Sequence, residues 1–241
     1  LDVAREFCRD KSPIAAVRAQ LETTNGFDAG LWDEMVALGW AGIALPESCG
    51  GSGLGIAALV PVVEAMGRAM LGTPLISSAL AGQWLLRAAN TEQVERLLPA
   101  IAAGECATLA LLDNSDWGDM GVTLELDDQR VLCGAKKFVP DAAVARLFVV
   151  SVTYRGNVAL AVVRAEQLGA GAVRPNTLID QTKRSANIDF SGVRVDDNNV
   201  ITGAGVAAAL RDIRLLGALL VAVEATGSTA ACLDTIVDYL K

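Results

Sequence analysis

The chain has 241 residues, 52% of them apolar, and a formal charge of −8 without a dense Lys/Arg stripe. That balance excludes a nucleic-acid partner. Histidine is absent, so Ser-His-Asp and Cys-His nucleophiles, His-ligated zinc and a His general base are all excluded within this chain. The five cysteines, Cys8, Cys49, Cys106, Cys133 and Cys232, are far apart and include no CxxC. They read as reduced thiols of a cytoplasmic protein, with no metal site. No secretion signal is visible at the start, and the apolar stretch Leu215 to Val223 is too short to span a bilayer, so membrane insertion is not expected.

In chain order, Phe7, Ile14, Val17 and Leu21 fall at helical spacings, with Pro13 placed as a helix-start residue. Asp28 is a suitable N-cap for a helix carrying Leu31, Trp32, Met35, Val36 and Leu38, and Gly39 is its stop. The stretch LGWAGIALPESCGGSGLG, residues 38–55, then forms a corner: Gly50, Gly51 and Gly53 let the backbone turn tightly before a new helix. Ile56 to Leu71 reads as a buried helix that holds Pro61 in its first turns. After Thr73-Pro74, two more helices are expected at Ile76 to Ala89 and Thr91 to Ala103.

From Cys106 the character changes. Alternation and β-branched enrichment predict seven short strands at 108–112, 121–126, 131–139, 147–152, 158–163, 173–175 and 186–190. Asp127-Asp128 and Arg155-Gly156-Asn157 supply turns. Such spacing suggests a small antiparallel barrel or sandwich. After Gly203-Ala204-Gly205 the pattern returns to helix through Lys241, either one long helix kinked at Gly217 or Gly227, or a pair. The fold class is therefore α+β: an N-terminal helical domain (1–104), a middle antiparallel β domain (105–203) and a further helical segment (204–241).

The glycine corner, this three-part order, the strand string Gly134-Ala135-Lys136-Lys137-Phe138-Val139, the string Phe190-Ser191-Gly192-Val193-Arg194-Val195, and Gly227 through Tyr239 together resemble the acyl-CoA dehydrogenase family. The resemblance covers essentially the whole chain. It implies that residues 204–241 begin a C-terminal helical bundle, and that flavin adenine dinucleotide (FAD) lies between that bundle and the β domain. In the family, a Thr-Glu-Pro-x-Ala-Gly-Ser-Asp loop meets the flavin. The matching stretch here runs from Leu111 to Asp119, with Leu112 in place of the threonine. Main-chain donors survive such a change and hydroxyl bonds do not. A plain polar loop with Trp117 packed over it is the other reading. The second flavin segment matches Phe138-Val139-Pro140, where Pro140 stands in place of a Thr or Ser and offers neither hydroxyl nor N–H. Core filling is the competing role for Phe138. The cofactor-binding residues implied by the resemblance are Leu109, Leu111, Leu112, Ser115, Phe138, Val139 and Pro140.

Dehydrogenating an acyl-CoA needs a carboxylate to take the α-proton while hydride leaves to the flavin. In most of the family that glutamate lies farther along the bundle; in a minority it aligns with Gly217 here. The Asp and Arg that often meet the substrate align with Leu215 and Ala218. None of these can serve, and the catalytic residue is unassigned. Glu224 reads as a solvated or inter-helix ion-pair residue and Glu47 as a turn residue; Lys183 with Arg184 reads as a surface pair, although the resemblance aligns them with a segment near the family's CoA-phosphate or bundle contacts. Gly50-Gly51-Ser52-Gly53 follows no strand, so a dinucleotide or P-loop reading fails.

The expectation is an FAD-dependent acyl-CoA dehydrogenase of fatty-acid or sterol side-chain metabolism. It would take an acyl-CoA substrate, pass electrons to an electron-transfer acceptor, and assemble as a homo- or hetero-oligomer with acyl-CoA dehydrogenase-like subunits. The alternative is a non-catalytic or flavin-deficient subunit of a heteromeric dehydrogenase.

Overall fold

The computed structural model describes residues 2–116 and 121–241. Six helices come first: α1 (Asp2–Lys11), α2 (Ile14–Leu21), α3 (Ala29–Ala37), α4 (Val60–Arg68), α5 (Leu75–Ala88) and α6 (Thr91–Ala102). Pro13 stands at the N-cap of α2. The Asp28 carboxylate accepts from Leu31 N at 3.0 Å, which satisfies one orphan donor of α3. At α6, Asn90 and Gln93 form a reciprocal capping box.

The corner at 38–55 is a set of tight turns with a single 3-10 turn at Glu47–Cys49. Gly50 takes φ 79°, which is open to glycine at no steric cost. At Gly51 the constraint is contact: a β-carbon there would lie 2.3 Å from the Leu45 carbonyl oxygen. The following helix starts as a 3-10 turn (Ile56–Leu59) before α4, with Pro61 in the first turn of α4.

The β region holds β1 (Ala107–Ala110), β2 (Glu125–Leu126), β3 (Leu132–Cys133), β4 (Ala135–Pro140), β5 (Leu147–Tyr154), β6 (Asn157–Arg164), β7 (Val173–Pro175), β8 (Ser185–Asp189) and β9 (Val200–Ile201). They form two sheets. One is six-stranded, in the order β3-β2-β5-β6-β9 with β1 also on β5; the other is β4-β8-β7. The expectation of purely antiparallel pairing is corrected here, because β1 and β2 both run parallel to β5. The expected strand at 131–139 is divided at Gly134, whose φ is 139°. β9 has no counterpart among the expected strands.

The layers follow from the two-residue period of a strand. Leu147 and Val149 of β5, with Leu160 and Val162 of β6, point into a core shared with the helices. Phe148, Val150 and Val152, with Ala159, Ala161 and Val163, point into a second core closed by Ile188 and Phe190. Phe148 and Phe190 meet edge to face, with ring centroids 6.1 Å apart. Finally α7 (Val206–Tyr239) runs as one continuous helix through Gly217 and Gly227 and packs against α4 and α5.

Candidate functional site

A cleft of about 920 Å³ opens where the helical domain, the β domain and α7 meet. Met66 and Met70 at the end of α4, Ile76 and Leu80 of α5, and Val221 of α7 give it apolar walls. Leu109 from β1 and Phe138 and Pro140 from β4 form the β-domain side.

Three of the seven expected cofactor residues, Leu109, Phe138 and Pro140, thus come together on this cleft. The other four do not line it. Val139 is buried inside the β core, as strand alternation requires of the residue between Phe138 and Pro140. Leu111 packs against the helical core, Leu112 is buried, and Ser115 is exposed. Trp117, Gly118, Asp119 and Met120 lie outside the described residues. Phe138 has φ 50°, and its N–H donates to Asn187 Oδ1 at 3.2 Å. The β4–β8 register shifts between Lys136 and Val139. Alternation then puts Phe138 and Pro140 on the same face, toward the cleft.

Below the 111–116 loop lies a buried ion pair. The Lys136 ammonium is 2.6 Å from Asp113 Oδ1, with the two side chains 0% and 5% exposed. It also donates to Ser151 Oγ at 2.9 Å and to the Leu111 carbonyl at 3.3 Å. Burial pulls the Lys136 ammonium down to about 8, against the Asp113 carboxylate, which pushes it back up. The loop's path is therefore held from beneath by side chains of β4 and β5.

On one side of the cleft three charged groups converge. Asp141 Oδ2 accepts from Ser77 Oγ of α5 at 2.6 Å, and Asp141 takes φ 50°. Burial pushes its carboxyl up to about 6; the Ser77 hydrogen bond and the Lys183 charge work the other way, and Glu224 adds to the rise. Lys183 forms an ion pair with Glu224 of α7. The inter-helix role expected for Glu224 is thus corrected in its partner, which is a β-domain loop lysine. The surface pair expected of Lys183 and Arg184 is corrected as well. Lys183 faces the cleft, and Arg184 clamps the end of α2, its Nη2 donating to the carbonyls of Gln20, Leu21 and Thr23 at 2.9–3.1 Å. Glu47 is exposed in the glycine corner, away from the cleft.

Sequence reading missed Asp141, Ser77 and Thr73 on this cleft. The available signal was adjacency, since Asp141 directly follows the Phe138-Val139-Pro140 segment. Among the described residues, no group of three or more Cys, Asp and Glu side chains is arranged to hold a metal. Cys8 and Cys106 have thiols pushed up by burial, to about 12 and about 11, which leaves them poor nucleophiles.

A helical domain, a two-sheet β domain and a long helix thus wall one cleft, mostly apolar and charged where Asp141, Lys183 and Glu224 meet. Residues 1–105 match the acyl-CoA dehydrogenase N-terminal domain. The chain is similar to the acyl-CoA dehydrogenase IpdE2 of Mycobacterium tuberculosis, 34% identical over 114 residues, covering 45% of this chain and 35% of that protein. It is also similar to the acryloyl-CoA reductase (NADH) of Anaerotignum propionicum, 27% identical and covering 99% of this chain and 64% of the other. Among solved structures, a Tcur3481-Tcur3483 steroid acyl-CoA dehydrogenase variant superposes with TM-score 0.83 at 25% identity, over 100% of this chain and 65% of its own. The ChsE4-ChsE5 complex from Mycobacterium tuberculosis shares the fold, with TM-score 0.84 at 22% identity, over 99% of this chain and 64% of its own. Over residues 1–105 the chain matches the acyl-CoA dehydrogenase N-terminal domain, and over its whole length it shares the fold of solved acyl-CoA dehydrogenases. It spans about a third of the length of the IpdE2 proteins and about two thirds of the solved structures.

Proposed function

We propose that this chain contributes to an FAD-dependent α,β-dehydrogenation of an acyl-CoA thioester, holding the acyl group in the cleft between α5, α7 and β4. The observation that carries the reading is the joint placement of Leu109, Phe138 and Pro140 on the β-domain side of that cleft. Their apolar surfaces suit the faces of a flat ring. Pro140 offers no donor, so this position leaves the ring's polar edge without the hydroxyl or N–H that another residue would supply. Flavin would supply the hydride acceptor. This chain's residues bind the acyl group, exclude water along the methionine and leucine walls, and set the protonation where Asp141, Lys183 and Glu224 meet. Positions 215, 217 and 218 carry Leu, Gly and Ala, so proton abstraction falls to a carboxylate elsewhere. Among the described residues, the carboxylates on the cleft are Asp141, Asp180 and Glu224.

The test is direct. The purified chain is titrated with FAD while flavin fluorescence is followed, and dodecanoyl-CoA is then added. Saturable quenching, followed by a spectral change on adding the thioester, is expected. Absence of both, with and without a partner subunit, overturns the reading.

A second reading has its own support: this chain as the flavin-deficient subunit of a heteromeric dehydrogenase. Pro140 and Gly217 favour it, and one of the similar structures is a complex by name, ChsE4-ChsE5. A colourless chain that gains flavin only with a partner chain distinguishes it. The exposed apolar side chains Leu233, Ile236 and Val237 of α7, with Leu240 at its C-cap, support association with acyl-CoA dehydrogenase-like subunits, and light scattering at micromolar concentration reads this out. No helix of the described residues is long and apolar enough to cross a membrane. A cytoplasmic location and an electron-transfer acceptor as redox partner complete the proposal.

A further inference from the structure

The acyl-binding reading leaves one feature of the cleft without a role. A pocket meant only for an alkyl chain has no use for charge on its walls, because an apolar ligand would strip water from those charges without replacing its hydrogen bonds. This cleft carries such charge. Lys183, from the loop before β8, pairs with Glu224 of α7, and their side chains remain 41% and 15% exposed. The Lys183 ammonium has three donors and gives one of them to a Glu224 carboxylate oxygen. Asp141 sits on the same side with Ser77 Oγ at 2.6 Å. Close by, where Gly72 abuts the Thr182 carbonyl next to Lys183, the Thr73 hydroxyl is buried and, among the described residues, has no hydrogen-bond partner.

We propose that the cleft selects an acyl group bearing a neutral oxygen function, a hydroxyl or a ketone, which reaches Lys183, Glu224 and Thr73. This rests on the acyl-CoA reading above and adds the substrate's chemical class. A hydroxyl can accept from the Lys183 ammonium and donate to the Glu224 carboxylate at once, while a ketone can accept from Lys183 and Thr73. A second carboxylate on the acyl group fits less well. Glu224 already neutralises Lys183, and Asp141 and Asp180 add negative potential along the same wall. A plain alkyl chain fits least, since it leaves the ion pair and the Thr73 hydroxyl dry and unsatisfied.

Isothermal titration of the full chain with dodecanoyl-CoA, the positional isomers of hydroxydodecanoyl-CoA, and dodecanedioyl-CoA tests the proposal. The expected result is that at least one hydroxy isomer binds roughly tenfold tighter than dodecanoyl-CoA, as one or two charge-assisted hydrogen bonds would give. The double variant Lys183→Met/Glu224→Leu is expected to lose that preference while still binding dodecanoyl-CoA. Thr73→Val, which leaves the ion pair in place, is expected to reduce the preference a few-fold. Circular dichroism establishes that each variant is folded. Equal or tighter binding of dodecanoyl-CoA than of every hydroxy isomer overturns the proposal and leaves the acyl-CoA reading standing. Tightest binding of dodecanedioyl-CoA overturns it in favour of an anionic substrate. Binding of none of the thioesters, with or without FAD, defeats the acyl-CoA reading itself and the proposal with it.

Discussion

Gly67 on α4 lies directly against the main-chain carbonyl of Glu224 on α7: a β-carbon built at position 67 would sit 2.0 Å from that oxygen. The contact is reciprocal, because a β-carbon at Gly227 would sit 2.0 Å from the Glu64 carbonyl oxygen. Two glycines, one per helix, let the backbones approach to a distance that no side chain allows. The same crossing places Glu224 at the cleft, so its geometry reaches the site.

Gly67→Ala and Gly227→Ala are therefore each expected to destabilise the fold by about 1–3 kcal/mol or more, by forcing the helices apart. Gly217→Ala is the control. Its new β-carbon meets only Leu80 Cδ1, at 3.6 Å, and the better helix former should leave stability unchanged or raise it by up to about 1 kcal/mol. Thermal melts of the three variants read this out. A Gly67→Ala melt no lower than that of Gly217→Ala would refute the close-packing account.

Lys136→Met removes one half of a buried pair and leaves the Asp113 charge without its ammonium. It should cost about 3 kcal/mol or more, whereas Lys136→Met/Asp113→Leu should cost distinctly less. Urea denaturation of the single and double variants is the measurement. Equal losses would mean that the two side chains are energetically independent.

Asp141 gives a pH signature of opposite sign to that of most carboxylates. Its folded value is raised to about 6 from a reference of 3.8, so between those limits the folded state holds the proton that the unfolded state has released. Its contribution is favourable below pH 4 and is lost as pH rises through 6. Asp141→Asn keeps an acceptor for Ser77 and removes the titration. The variant is expected to be more stable than the parent at pH 7 by on the order of 1–2 kcal/mol, allowing for screening by water in the cleft. The gap should close as pH falls toward 4. A gap that widens on acidification would place Asp141 in a carboxylate-stabilising environment instead.

At the flavin rim, Pro140→Thr restores a hydroxyl and an N–H to the β4 position facing the cleft. If the ring's polar edge lies there, FAD should bind roughly tenfold tighter. Fluorescence titration of parent and variant decides it; unchanged affinity would put the ring's edge elsewhere.

Local features were legible in the sequence. The Asp28 cap, the tight corner at Gly50-Gly51 and the strand Val173–Pro175 each depend on residues within a few positions of one another, and periodicity and turn chemistry suffice for them. The parallel pairing of β1 and β2 on β5 is set by contacts some 30 to 40 residues apart, and no local pattern encodes that direction. The site divides the same way. Phe138 and Pro140 could be read because they sit in a recognisable string. The meeting of Asp141, Lys183 and Glu224 joins three separate elements, and charged residues read singly look like solvent-facing ones. Lys136 was obscured for the same reason, since nothing adjacent to it indicates that its ammonium is enclosed.

β5 and β6 form a party wall. Because consecutive residues along each strand serve different cores, neither side owns the partition, and a change at one position strains the tenant next door. The helical and β portions should thus melt in a single cooperative step, and a protease cut near residue 104 should leave two fragments that remain associated rather than two free-standing folded pieces.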